Sequence, residues 1–315
     1  MSFKKIIKTI LPLALGGFLV WYSLSKVSLD TLLQYFKNAN YWWIALGLFF
    51  GVLSHLSRAY RWKFLLEPLG YKPDFGNSTM AVLVAYLVNL TIPRAGEVFR
   101  ATVMTTYEDI PFEKGFGTIV AERIADLIMM LLIICITLFV QFDFIFELLT
   151  KNFSVSKILI LLGGLIIGLF IFVRFVKKSQ DGIGLKIKNF VSGLIEGAMS
   201  IFKMKNKWAF IFHTVFIWAM YVAMFWATVP AIESFNVPFG AVLVGFIAGG
   251  FSIAATNGGI GLYPVAVAGA FALFNIPEEP ANAFGWIMWT AQTAMIIIFG
   301  GLSFLFLPVY NRAKS

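Results

Sequence analysis

The chain has 315 residues, of which 59% are hydrophobic and only 13% charged, with a mean hydropathy of +0.84. Soluble domains carry roughly a quarter charged residues, so these figures exclude an ordinary water-soluble enzyme and assign an integral membrane protein. The formal charge of +9 does not signal nucleic acid, because Lys and Arg lie mainly in short segments beside apolar runs, where they set topology and meet anionic lipid.

In chain order, the first apolar run covers about 6–25, preceded by Lys4, Lys5 and Lys8. It reads as a retained helix rather than a cleaved leader, since many apolar spans follow. A second span over 41–66 closes on Arg58, Arg61 and Lys63, and the apolar region 76–92 then stops at Ile92-Pro93-Arg94-Ala95-Gly96-Glu97 before a short helical piece over 97–108. Further spans cover 116–141 and 156–176. Residues 177–206 alternate Lys with apolar positions such as Ile183, Leu185, Phe190 and Leu194, the pattern of an amphipathic helix on the cytoplasmic leaflet. A span over 207–230 follows, then an apolar region 238–256 that stops at Asn257-Gly258-Gly259-Ile260-Gly261, a short piece over 262–274, and a last span over 281–308.

Each full-length run is near the roughly 20 residues that cross a bilayer. Pro and clustered Gly interrupt a helix, and irregular backbone at membrane depth is tolerated only where protein or a water-filled cavity surrounds it. The predicted fold is therefore all-α: a polytopic helical protein with six full crossings and two broken or re-entrant hairpins, in one membrane domain over residues 1–315. With the N-terminus cytoplasmic, the inside carries Lys4, Lys5, Lys8, Arg58, Arg61, Lys63, Lys72, the stretch from Arg174 to Lys207, Arg312 and Lys314. The outside keeps only Lys26, Lys37, Lys151 and Lys157, so both termini are expected on the cytoplasmic side of the cell membrane.

The two interruptions align at an offset of 165, Pro93-Arg94-Ala95-Gly96 against Gly258-Gly259-Ile260-Gly261, and Ile110-Pro111 matches Ile276-Pro277 at 166. Asp126 then falls on Gln292. Half one, about 1–142, and half two, about 156–310, each hold three crossings and a hairpin, and an odd number of crossings inverts the second half. This is the inverted-repeat plan of many transporters, in which broken helices meet near the midplane.

Charge at membrane depth is costly and marks function by default, yet Arg94, Glu97, Arg100, Glu122, Arg123 and Asp126 gather around the first hairpin and the helix after it. Glu97 and Arg100, and Arg123 and Asp126, are three apart, so each pair shares a helix face. Guanidinium matches phosphate oxygens in a bidentate way, which makes these residues, with Asn257, Gly258, Gly259 and Gly261 of the second turn, the candidate binding site for an anionic head group. A purely structural ion-pair network is the competing reading. His55 and His213 read as packed or interfacial, and Cys135, inside an apolar run, as a small packing residue that leaves no disulfide or cysteine metal site. No metal-ligand spacing, nucleotide loop, GxSxG or triad is present, so no cofactor is expected and an enzyme is the lesser reading.

Arg58-Ala59-Tyr60-Arg61-Trp62-Lys63, Pro93-Arg94-Ala95-Gly96-Glu97-Val98-Phe99-Arg100, Ala121-Glu122-Arg123-Ile124-Ala125-Asp126 and Gly258-Gly259-Ile260-Gly261, in this order and spacing, resemble the lysylphosphatidylglycerol synthase transmembrane-region family of flippase-like proteins. The resemblance implies a membrane domain associated with moving a phospholipid or a lipid-linked precursor between leaflets. Two-part members add a cytosolic aminoacyl-transferase domain, whereas this sequence stops at Ser315, so lysine transfer is not expected of it. Many members place a basic residue and Glu after the second Gly-rich turn, where Tyr263 and Pro264 stand here. The expected partners are membrane lipids, chiefly anionic, and a homo-oligomer is compatible with this plan. The alternatives are an intramembrane enzyme acting on a lipid head group through Glu97, Glu122 or Asp126, and a scaffold subunit recruiting a soluble partner through its basic segment.

Overall fold

A computed structural model describes residues 17–92, 94–152 and 204–312, with scattered positions between 154 and 201. The expected spans at 6–25 and 156–176 and the amphipathic segment at 177–206 lie largely outside the described residues, as does Pro93. The described residues are helical throughout, with no strand among them. Residues Met1–Glu122 and Trp208–Ser315 form one compact unit, and Arg123–Lys207 a second.

In chain order the helices are α1 (17–26), α2 (Leu29–Asn38), α3 (Tyr41–Leu66), α4 (Phe75–Thr91), α5 (Ala95–Glu108), α6 (Phe112–Val140), α7 (Phe142–Asn152), α8 (Lys207–Thr228), α9 (Phe239–Ala255), α10 (Leu262–Ala272) and α11 (Glu278–Arg312). Among the described residues, α6, α8 with its 3-10 extension to Ala231, and α11 are long and apolar enough to cross a membrane, and α2 with Tyr41–Leu69 passes the same test as a pair bent by 84°. The sequence reading had no α2. It begins on Ser28, whose hydroxyl caps the Thr31 N–H at 3.1 Å, and Asn40 caps α3 through the Trp42 N–H at 3.1 Å.

The same order of elements occurs twice. α3 runs into a 3-10 turn with Pro68 at its second position, then a 17-residue helix, a break, a shorter helix, Ile110-Pro111 and the long α6. α8 runs into a 3-10 turn with Pro230 at its second position, then a 17-residue helix, a break, a shorter helix, Ile276-Pro277 and the long α11. Even the turn before each Ile-Pro pair agrees: Asp109 and Asn275 both have positive φ, at 52° and 56°.

Within the first unit α11 packs against α4 and α10, and each hairpin closes on itself. The interior of half two is apolar: Phe225, Phe235, Phe271 and Phe284 form a ring cluster with centroids 5.0–6.2 Å apart. Edge-to-face and tilted pairs of this kind favour close packing beyond their buried area. Large exposed side chains are apolar, including Phe139 and Trp42 at 85% exposure, as befits helices whose outer faces meet lipid. Cys135 belongs to this outer surface: it is exposed on α6 and not a packing residue as expected.

α11 is tied to half one at both ends. Near its start, the Trp286 indole donates to Ser23 Oγ at 2.9 Å, and Ser23 donates to the buried Asn282 at 3.2 Å. Near its end, the Asn77 and Asn311 amides each donate to the other, at 2.9 and 2.8 Å, and the Tyr310 hydroxyl donates to Asp74 at 2.9 Å.

Candidate functional site

The first hairpin can close because of Gly96. A Cβ there would lie 2.1 Å from the Ala85 carbonyl oxygen, so the α4 and α5 backbones nearly touch, and the Gly96 N–H donates to Asn89 Oδ1 at 2.8 Å. Such approach is the usual role of small residues between membrane helices. Arg94 takes the left-handed conformation, φ 62°, at the start of α5, with an exposed side chain.

Along α3, residues Gly47, Gly51, Ser54, Arg58 and Arg61 are all buried, a stripe spaced three and four apart that begins small and ends charged. The stripe carries Arg61 to Glu122 of α6, at 3.3 Å between Nη2 and Oε1. Arg100 of α5 reaches the other oxygen of the same carboxylate, Nη1 to Oε2. The three side chains are 0%, 1% and 5% exposed for Arg61, Glu122 and Arg100.

Neighbours fix this node from every side. Arg61 Nη1 donates to Thr214 Oγ1 of α8 at 2.9 Å, and its guanidinium lies 5.2 Å from the Phe210 ring. The Arg100 guanidinium stacks 3.7 Å over Trp62, whose indole N–H donates to Thr118 Oγ1 at 2.8 Å. Guanidinium on an aromatic face is favourable, more so when water is excluded. Arg58, also buried, stands close enough to act on the Glu122 charge. Three guanidinium groups, those of Arg58, Arg61 and Arg100, thus gather within electrostatic reach of the Glu122 carboxylate.

Of the residues expected at the site, Arg100 and Glu122 are brought together. Glu97 sits in the first turn of α5 with one buried carboxylate oxygen. Arg123 and Asp126 form an i,i+3 pair at 3.7 Å in the second unit. Arg61, Arg58, Trp62, Thr118 and Thr214 were not among the expected site residues. Arg58 and Arg61 enter the sequence reading as topology signals and as part of the motif that carries the family resemblance, although the Gly-Gly-Ser-Arg-Arg stripe on one face of α3 held the clue to their place in the site.

The second turn has no charge. Gly258, Gly259 and Gly261 all have positive φ, at 64°, 81° and 69°, a conformation that costs glycine little. The Trp289 indole donates to the Gly258 carbonyl at 2.8 Å, which satisfies backbone the helix break leaves over. A Cβ on Gly261 would lie 2.6 Å from the Val20 nitrogen, so α1 crosses this turn closely. Leu90 of α4 comes within 2.8 Å of where a Cβ on Gly258 would stand, and the two hairpin tips therefore touch.

Residues 9–300 match the family described as lysylphosphatidylglycerol synthase TM region. The chain belongs to this family. Its relatives include the UPF0104 membrane protein of Methanocaldococcus jannaschii, 26% identical over 309 residues and covering 89% of each chain. A stretch of 78 residues is 36% identical to a protein named Glycosyltransferase AglD of Haloferax volcanii, covering 24% of this chain and 12% of that one. No solved structure matches significantly. Family membership and the apolar helices make the chain an integral membrane protein.

Proposed function

We propose that the chain moves an anionic phospholipid or lipid-linked precursor between leaflets, its head group passing along the polar seam of half one while the tails stay in hydrocarbon. The observation that carries this reading is the Arg61–Glu122–Arg100 node, whose two guanidinium groups share one carboxylate buried within apolar helices. A phosphate would compete with Glu122 for the two guanidinium groups, with Arg94 at the exposed start of α5 offering first contact. The paired hairpins and the repeated order of helices support alternating exposure by rocking one half against the other.

Reconstitution into liposomes with labelled lipids checks it: exchange between leaflets is expected for an anionic class and not for a neutral one, and should vanish when Arg61, Arg100 and Glu122 are replaced together by Met, Met and Leu. Exchange that is absent for every anionic class, or unchanged in this variant, would sink the reading. The likeness to a protein named a glycosyltransferase favours one alternative, an enzyme working on a lipid head group. A mass change in lipid incubated with pure protein would select that alternative, since transport leaves mass unaltered.

A further inference from the structure

Gly300, in the second half of the 35-residue α11, is buried against α4: a Cβ there would lie 2.8 Å from the Leu83 carbonyl oxygen and 2.8 Å from Leu87 Cβ. A Cβ on the next residue, Gly301, would meet nothing within 4 Å. A small residue at a crossing lets two helix backbones approach without interlocked side chains. α11 therefore rests on α4 at a point about which it can turn.

On either side of this point α11 is held to half one by polar bonds. The Ser23–Asn282–Trp286 contact lies about 27 Å from Gly300 toward the start of the helix, and Asn311 about 16 Å away toward its end. At that second end the Asn77 and Asn311 amides pair reciprocally, and the Tyr310 hydroxyl donates to Asp74 Oδ1 at 2.9 Å. Glu108 of α5 joins the network from below: it accepts the Asp74 N–H at 3.0 Å and the amide of the fully buried Asn77. Gly76 leaves room for the phenol, since a Cβ there would lie 2.8 Å from the Tyr310 hydroxyl.

A hairpin base of this kind closes without polar groups. At the 166-residue offset of the Ile-Pro pairs, Asp74, Asn77 and Glu108 fall on Gly240, Leu243 and Phe274; Leu243 is buried, and Phe274 packs against the apolar core of half two. The polar groups of half one thus serve the grip on α11. Hydrogen bonds at a span end can be exchanged for bonds to water at small net cost, whereas parting an apolar seam there would expose its surface to water.

Resting on the head-group reading above, we propose that α11 is a rocker arm that pivots on α4 at Gly300, and that the Asn77–Asn311 and Asp74–Tyr310 bonds are the latch holding shut the end expected at the cytoplasm. Releasing the latch opens the head-group path more often and removes no contact of Arg61, Arg100 or Glu122.

The test uses the full chain with Cys135→Ser in liposomes, spin-labelled at Thr106→Cys on α5 and at either Leu305→Cys or Val309→Cys on α11, all exposed positions. The Tyr310→Phe, Asn311→Ala variant removes the three bonds from α11 to α4. It should shift both label pairs toward a longer distance, raising that population at least about tenfold. Anionic lipid exchange should speed up by about fivefold or more, with lipid retention, read by native mass spectrometry, at the parent level. Tyr310→Phe alone loses one bond at an exposed ring and should give a smaller shift in the same direction. Gly300→Ala should disturb both distances, and Gly301→Ala neither.

Distances unchanged in the latch variant would overturn the latch, and distances unchanged by Gly300→Ala the pivot. A longer distance at Val309 with Leu305 unmoved would mean fraying of the last turn beyond Pro308 and would overturn the rocker. Longer distances with the exchange rate of an active parent would overturn the gating role. A parent that exchanges no anionic lipid would remove the head-group reading and the gating built on it, while the distances decide the pivot and latch by themselves.

Discussion

Half one and half two build the same order of helices around opposite interiors. At the 166-residue offset of the Ile-Pro pairs, Thr118 falls on Phe284 and Glu122 on Met288. Where half one buries Thr118 and Glu122 beside Trp62, Arg61 and Arg100, half two buries Phe284 and Met288 beside Phe225 and Phe271. Among the described residues, half two packs this helix order without a buried charge. Desolvating a buried ion pair can cost as much as it returns, so packing alone does not call for the arginines and carboxylate of half one, in keeping with the head-group site proposed above.

Several substitutions would break or sharpen this contrast. In half two, Phe284→Ala should lower stability by about 3–5 kcal/mol through the cavity it leaves in a fully buried site, read as a drop in Tm, while lipid retention by the folded fraction stays at the parent level. In half one, Glu122→Leu alone should cost about 3–5 kcal/mol because it removes the carboxylate that two buried guanidinium groups share. Adding Arg61→Met and Arg100→Met should restore most of that loss, giving half one an interior like that of half two, stable but unable to retain anionic lipid. A triple variant less stable than Glu122→Leu alone would make the node a structural element after all.

Smaller effects separate closure of the hairpin from chemistry. Gly96→Val should cost about 1–3 kcal/mol by overpacking against the Ala85 carbonyl, seen in Tm with both lipid classes affected in proportion to folded protein. Arg94→Gln, at an exposed position, should leave Tm unchanged and weaken anionic lipid retention; equal retention would confine the site to the buried node.

The breaks were legible in the sequence because Pro and Gly clusters have a local backbone meaning that needs no tertiary partner. The structure puts them within a few residues of Ile92-Pro93 and Asn257-Gly258-Gly259, and the four spans that fall on described residues end within about four residues of the expected bounds. α2 has no counterpart in the sequence reading because its ten residues are too few for a crossing. The partnership of Arg61 with Glu122 was illegible for a different reason. Residues 61 positions apart meet through the packing of α3 on α6, and near a span end an arginine is indistinguishable in sequence from a topology signal.

The 17-residue arms α4 and α9 are about 25 Å long, and α10 with 11 residues about 16 Å, against a hydrocarbon core of about 30 Å. A bilayer adjusts to short apolar segments by thinning around them, at a cost that rises with each ångström of mismatch. The hairpins thereby mark where the membrane should be narrowest. The lipid movement proposed above should be fastest in short-chain bilayers and slow as the acyl chains lengthen, with no change in any residue of the protein.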